Sequence, residues 1–271
     1  MNTIIALLLA STVSLSAMAA QSKPVDVKEG NVTYRGELIL PEKVQKDLPL
    51  VVVVPEWWGK NDYPLMRAKR IADEFGYAAL VVDLYGEGKV VDDPKAAGDL
   101  AGPFYKDPMI GVNRLKAFIA AVPALAKAAN VSVDMNKIAV IGYCFGGTQA
   151  LNLARADSLP KGEDLRGVIS YHGGLASPLA AKNPNEVKFL VLHGADDKMV
   201  TQKDVDAFKA EMKKAKANLD FHAYPGAVHA FTNPKATEIG QKFGIPIAYN
   251  KKADEDSWKR TKKFLSGLFK D

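Results

Sequence analysis

Short apolar, β-branched runs alternate with longer stretches that repeat apolar residues at helical spacing along most of this chain, and no other feature constrains its fold as tightly. Residues 50–54 predict a buried strand, 64–75 a helix and 77–82 a second strand. A helical pattern over 110–129 contains Pro123, which is expected to kink or divide it. Further strands are expected at 138–141, 167–171, 187–192 and 219–224. Helices are expected after Gly146, over 203–215 and over 253–269, the last one amphipathic. The partly alternating stretch 28–40 predicts an antiparallel hairpin leading into the sheet. This order points to the α/β class, with a mostly parallel central sheet covered by helices on both faces. No internal repeat or linker-like stretch interrupts it, and 48% apolar residues in 271 can fill one sizeable core. Residues 20–271 therefore read as a single domain.

The first nineteen residues stand apart. Residues 4–10 are apolar, small and polar residues follow, and Ala17-Met18-Ala19 has the small-x-small form of a cleavage site. Residues 1–19 thus read as a secretory signal peptide, although no Lys or Arg precedes the apolar run. The chain is expected to be exported, to a periplasm or to the medium. No other segment reads as a membrane span, and none is expected once the leader is removed. The net charge of +5 comes from lysines spread among carboxylates. They read as solvated faces rather than a nucleic-acid footprint.

Cys144 is the sole cysteine, so it cannot form an internal disulfide. It stands in Gly142-Tyr143-Cys144-Phe145-Gly146, directly after the predicted strand 138–141 and before a helical pattern. A G-x-C-x-G sequence in that position is the form of a nucleophile elbow, a sharp strand-to-helix turn that only glycine neighbours allow to close. Such a turn sets a helix N-terminus beside the sulfur, which favours a thiolate, and points the Phe145 N–H at a developing oxyanion. The structural alternative is a small residue packed under a turn.

A nucleophile needs a base. His229 in YPGAVHAF lies just past a strand, in a loop that can reach across the carboxyl end of the sheet; His172, His193 and His222 read as structural, hydrogen-bonded histidines. Asp196 and Asp197, in LHGADD, follow the strand that ends at Leu192 and are both candidates to orient the base. The order nucleophile, acid, histidine is that of α/β-hydrolases.

Through VVVVPEWWG, DLYG, IGYCFGG, LHGADD and YPGAVHAF, the chain resembles the dienelactone hydrolases, α/β-hydrolases with a cysteine nucleophile, over about residues 25–269. The resemblance implies an α/β-hydrolase fold and a carboxylic ester hydrolase of the carboxymethylenebutenolidase type. It implies Cys144 as nucleophile, His229 as base and Asp197, the last position of G-x-x-D from Gly194, as the acid. Glu56 matches a family glutamate that contacts the resting thiol, and the Trp57 N–H would be the second oxyanion donor. Trp58, Tyr85 and Phe231 lie in or beside these motifs and are candidate pocket residues. The expected partner is a small ester or lactone, with no metal and no organic cofactor.

The chain departs from the family where its dienelactone-cleaving members hold the substrate carboxylate with arginines. No arginine lies between Gly86 and Val112, and the position four residues after His229 is Asn233. Lys89, Lys95 and Lys106, in the expected loop 86–108, are poorer substitutes for a bidentate fork. A function of another class remains: an exported thiol protein that senses redox state or binds ligands through Cys144. It would have no need of His229, Asp197 or the oxyanion loop. A serine exopeptidase or lipase is disfavoured because the elbow holds cysteine and no long lid is evident.

Overall fold

The computed structural model describes residues 21–43, 46–156, 159, 163–181 and 187–270, so the expected signal peptide lies outside the described residues. One eight-stranded sheet runs through the structure in the order β1-β2-β4-β3-β5-β6-β7-β8. Strands β1 (Gln21–Glu29) and β2 (Val32–Leu40) form the expected hairpin, which begins earlier than its sequence pattern suggests. β2 pairs antiparallel with β4 (Ala78–Val81). From there β4, β3 (Leu48–Val54), β5 (Val133–Tyr143), β6 (Leu165–Tyr171), β7 (Lys188–Gly194) and β8 (Asn218–Tyr224) are parallel neighbours.

The period of two decides which face each strand residue covers. Leu50, Val52 and Val54 enter one core, while Val51 and Val53 enter the other, and all five are fully buried. Burial of each such side chain is worth about 1.5–3 kcal/mol, which explains why central strands read as continuous apolar runs. Helices α1 (Asp62–Phe75) and α7 (Lys251–Leu268) cover one face through Ala68, Ile71, Trp258 and Leu265. Helices α2 (Pro94–Lys106), α3 (Pro108–Ala128), α4 (Phe145–Arg155) and α5 (Gln202–Lys214) cover the other.

Three expectations change. Pro123 neither ends nor divides α3, which runs unbroken over 21 residues. Pro123 lies on the exposed side, where water can satisfy the carbonyl that lacks a donor. By length and composition α3 could also cross a membrane, contrary to the sequence reading. Here its Val112, Leu115, Phe118, Ile119 and Val122 are fully buried in the core. The expected loop 86–108 contains α2, started by Asp93, whose carboxylate accepts the Ala96 N–H, with Pro94 in the first turn. A further short helix, α6 (Ala236–Phe243), follows the His229 loop.

Candidate active site

The site begins where β5 stops. Cys144 lies between β5 and α4 with φ +53° and ψ −118°, a conformation that costs an ordinary residue about 1–3 kcal/mol. The chain can enter it because its neighbours lack side chains. A Cβ on Gly142 would lie 1.9 Å from the Gly146 carbonyl oxygen, and one on Gly146 would lie 2.3 Å from that of Val54. The Cys144 N–H is shared between the Tyr171 carbonyl at 2.9 Å and His172 Nδ1 at 3.1 Å. Its carbonyl accepts the Gly147 N–H. The side chain is half-buried, and the Phe145 N–H, first in α4, has no acceptor within the helix.

His229 and Asp197 reach the sulfur from adjacent loops. His229, buried in the loop after β8, places Nε2 3.0 Å from Cys144 Sγ and Nδ1 2.8 Å from Asp197 Oδ2. Asp197, buried in the loop after β7, is held in turn: its Oδ1 accepts the N–H groups of Met199 at 2.8 Å and Val200 at 3.2 Å. Asp196 is exposed, and its backbone N–H bonds the Ala227 carbonyl, tying the two loops together. Of the two candidate carboxylates, Asp197 therefore meets His229. Burial works against a charged His229, but the Cys144 sulfur and the Asp197 carboxylate outweigh it and raise the imidazole to about 10. The trio places an imidazole between the sulfur and a buried carboxylate.

The loop after β3 forms another wall. The Glu56 carbonyl accepts the Gly59 N–H at 3.1 Å, and the Tyr85 hydroxyl donates to the Trp57 carbonyl at 3.0 Å. Glu56 itself is buried, with Oε2 accepting from Asn233 Nδ2 at 2.7 Å. The hydrogen-bond partner of the sulfur is His229, so the structure pairs Glu56 with an amide rather than with the resting thiol. Burial raises the Glu56 carboxyl to about 7, against the Asn233 hydrogen bond and the charges of His229 and Arg67.

The expected pocket residues separate. Tyr85 packs its ring 5.7 Å from that of Phe145, and Phe104 and Tyr105 of α2 pack edge-on to Phe145 at 5.2 and 5.9 Å. Tyr105 is half-exposed, so its hydroxyl can reach solvent beside the Phe145 ring. Trp58 instead lines a cavity of about 370 Å³ between α1 and α6, whose wall includes Asn233. Phe231 has no exposed surface and packs on His172 and Tyr224, so it supports the site from the core. His172 is bonded at both ring nitrogens, His193 is buried with Nδ1 unpartnered among the described residues, and His222 is partly exposed in β8. The sequence pattern does not single out Tyr105, because glycines and a proline mask α2, nor Thr232, whose hydroxyl meets His172 Nε2 at 2.8 Å. Among the described residues, no group of three His, Cys, Asp or Glu side chains is placed to hold a metal ion.

The profile of the Dienelactone hydrolase family matches residues 34–269. The chain belongs to the dienelactone hydrolase family. As a member it is a hydrolase, and its sheet order and helical layers are those of the family's α/β-hydrolase fold. Its fold superimposes on a dienelactone hydrolase-like promiscuous phosphotriesterase from metagenomic libraries with a TM-score of 0.80 at 32% identity, covering 93% of this chain and 100% of that one. A second structure, m3DLH, gives 0.79 at 30% identity with the same coverage. A Saccharolobus solfataricus protein named "Putative carboxymethylenebutenolidase" is 29% identical over 248 residues, 81% of this dienelactone hydrolase-family chain and 90% of that protein.

Proposed function

We propose that this hydrolase cleaves small esters or lactones through a Cys144–His229–Asp197 triad and a thioester acyl-enzyme. One observation carries the reading: the line from Cys144 Sγ through His229 Nε2, 3.0 Å away, to Asp197 Oδ2, 2.8 Å from Nδ1. Asp197 accepts the Nδ1–H and leaves Nε2 to take the thiol proton. The thiolate attacks the carbonyl carbon, and the N–H groups of Phe145 and Trp57 receive the charge that develops on the oxygen. Collapse of the tetrahedral intermediate breaks the ester C–O bond, and His229 returns its proton to the leaving alkoxide. Water then attacks the thioester, with His229 as base, and releases the acid and the free thiol. The mechanism calls on no metal or cofactor.

The redox or binding alternative has no use for a base and an orienting acid, both of which are buried and aligned on the sulfur. Export, to a periplasm or the medium, remains part of this reading and is supported by the leader pattern over 1–19. A panel of neutral and carboxylated esters and lactones, assayed with wild type and Cys144→Ala, tests the proposal. Cys144→Ala should fold and lose turnover to the level of the uncatalysed reaction. Near-normal turnover would overturn the triad.

A further inference from the structure

His172 is more than a buried core histidine. It directly follows β6 with φ +41°, is only 1% exposed, and its own N–H donates to the Leu192 carbonyl at 2.8 Å. Its Nδ1 faces the Cys144 backbone N–H at 3.1 Å, and its ring lies edge-on to that of His229 with centroids 5.3 Å apart. It thus touches both the backbone of the proposed nucleophile and the ring of the proposed base, without lining the space above the sulfur. We propose that His172 is a positioning residue for the reaction: its Nδ1 lone pair holds the Cys144 N–H, and its ring backs His229, so that the strained elbow keeps Sγ on Nε2. This rests on the reading of Cys144 as the nucleophile.

The chemistry of the ring supports this role. A backbone N–H can only donate, so Nδ1 must carry a lone pair, and the ring proton is on Nε2. Nε2 meets Thr232 Oγ1 at 2.8 Å, an atom that can accept. The hydroxyl accommodates this tautomer by accepting from Nε2, and the Cys144 N–H selects it, since the opposite one would aim N–H at N–H. An imidazolium would do the same, and burial, followed by the charges of His229 and Arg67, holds His172 well below the usual histidine value and therefore neutral.

Thr232 is itself fixed from outside the sheet. Its hydroxyl lies 2.7 Å from the Tyr63 hydroxyl, and its carbonyl accepts from Arg67 Nη2 at 2.6 Å. The same Nη2 is 2.6 Å from Asp254 Oδ1 of α7, and Arg67 Nε donates to Tyr63 at 3.3 Å. A buried ion pair between α1 and α7 thus reaches the elbow through Thr232 and His172. Buried polar chains of this kind hold one geometry when every member is satisfied.

The test compares His172→Leu, which leaves the Cys144 N–H to the Tyr171 carbonyl alone, with His172→Asn, whose Oδ1 can take that N–H, and Thr232→Val, which removes the partner of Nε2. Each is measured for kcat, KM, melting temperature and the rate at which iodoacetamide alkylates Cys144 at neutral pH. With one cysteine in the chain, labelling reports that sulfur alone. Misplacing a reacting group by about 1 Å can cost on the order of a hundredfold, so His172→Leu should lower kcat and the alkylation rate by at least about tenfold, with KM nearly unchanged. His172→Asn should recover most of both, and Thr232→Val should fall between. A folded His172→Leu that turns over and alkylates like wild type overturns the inference. So does a His172→Asn that loses as much as His172→Leu. Should His172→Leu not fold, Thr232→Val decides alone, and unchanged kcat and alkylation in it overturn the proposal. If Cys144→Ala kept its turnover, the triad would fall, and the alkylation rates would still decide whether His172 positions the sulfur.

Discussion

Asn233 donates its side-chain amide to Glu56 at 2.7 Å, in a site where both residues are at least nine-tenths buried. Asn233 stands four residues past His229, where the resemblance to dienelactone-cleaving enzymes calls for an arginine. An amide can hydrogen-bond the carboxyl but cannot neutralise it, and the cost of burying the charge appears as a carboxyl raised to about 7.

This pairing makes stability depend on pH. Below about 4.5, the ordinary carboxyl value, Glu56 is protonated whether the chain is folded or not. As pH rises toward about 7, the unfolded chain ionises freely and the folded one does not, so the stability that the neutral carboxyl supports is lost through that window. Glu56→Gln, which can still accept from Asn233, should therefore be more stable than wild type above neutrality, by on the order of 3 kcal/mol, with the gap closing in acid. Melting temperatures of both proteins across this range check it; a constant difference would mean that Glu56 does not titrate in its site.

The two adjacent aspartates should behave very differently. Asp197→Asn keeps an oxygen for the Met199 and Val200 N–H groups, so the loop should fold. Its new amide would face His229 Nδ1 with a donor, favouring the tautomer whose Nε2 is already protonated. Turnover should fall by roughly a hundredfold or more, as triad acids do elsewhere, while Asp196→Asn, on an exposed side chain, should change it less than about twofold. Steady-state kinetics of the pair decide it, and the reverse ranking would move the acid to Asp196.

Substrate choice follows from the charges near the sulfur. Lys89 and Lys106 are exposed, and Lys95 is paired with Asp99 at 2.8 Å, whereas Tyr85, Phe104, Tyr105 and Phe145 form a connected aromatic group beside Cys144. Each charge-assisted hydrogen bond absent from a substrate carboxylate forfeits about 1.5–3 kcal/mol. Compact neutral esters or lactones, aromatic ones included, should show higher kcat/KM than a carboxylated dienelactone of similar size. Lys89→Ala and Lys106→Ala should leave that order unchanged at low and high salt. A preference for the anionic lactone that either lysine change abolishes would refute the expectation.

Local patterning determined the class of fold: the apolar runs that became β3, β5, β6 and β7, and the two glycines around Cys144, carry their meaning within a few residues, because strand burial and elbow closure are short-range demands. The order of Cys144, Asp197 and His229 along the chain was equally open to view. Helix α2 was hidden because Gly98, Gly102 and Pro103 weaken its propensity, while packing of Ala97, Ala101 and Phe104 holds it. The family resemblance pointed to Asp197, but residue patterning left both aspartates open until the fold buried one and exposed the other; tertiary structure alone gave Glu56 an amide partner 177 positions away and joined His172 to Cys144, Thr232, Tyr63 and Arg67. Those choices depend on which polar groups are buried together and must satisfy one another there, a condition that exists only once the sheet has brought the loops at its carboxyl edge into contact.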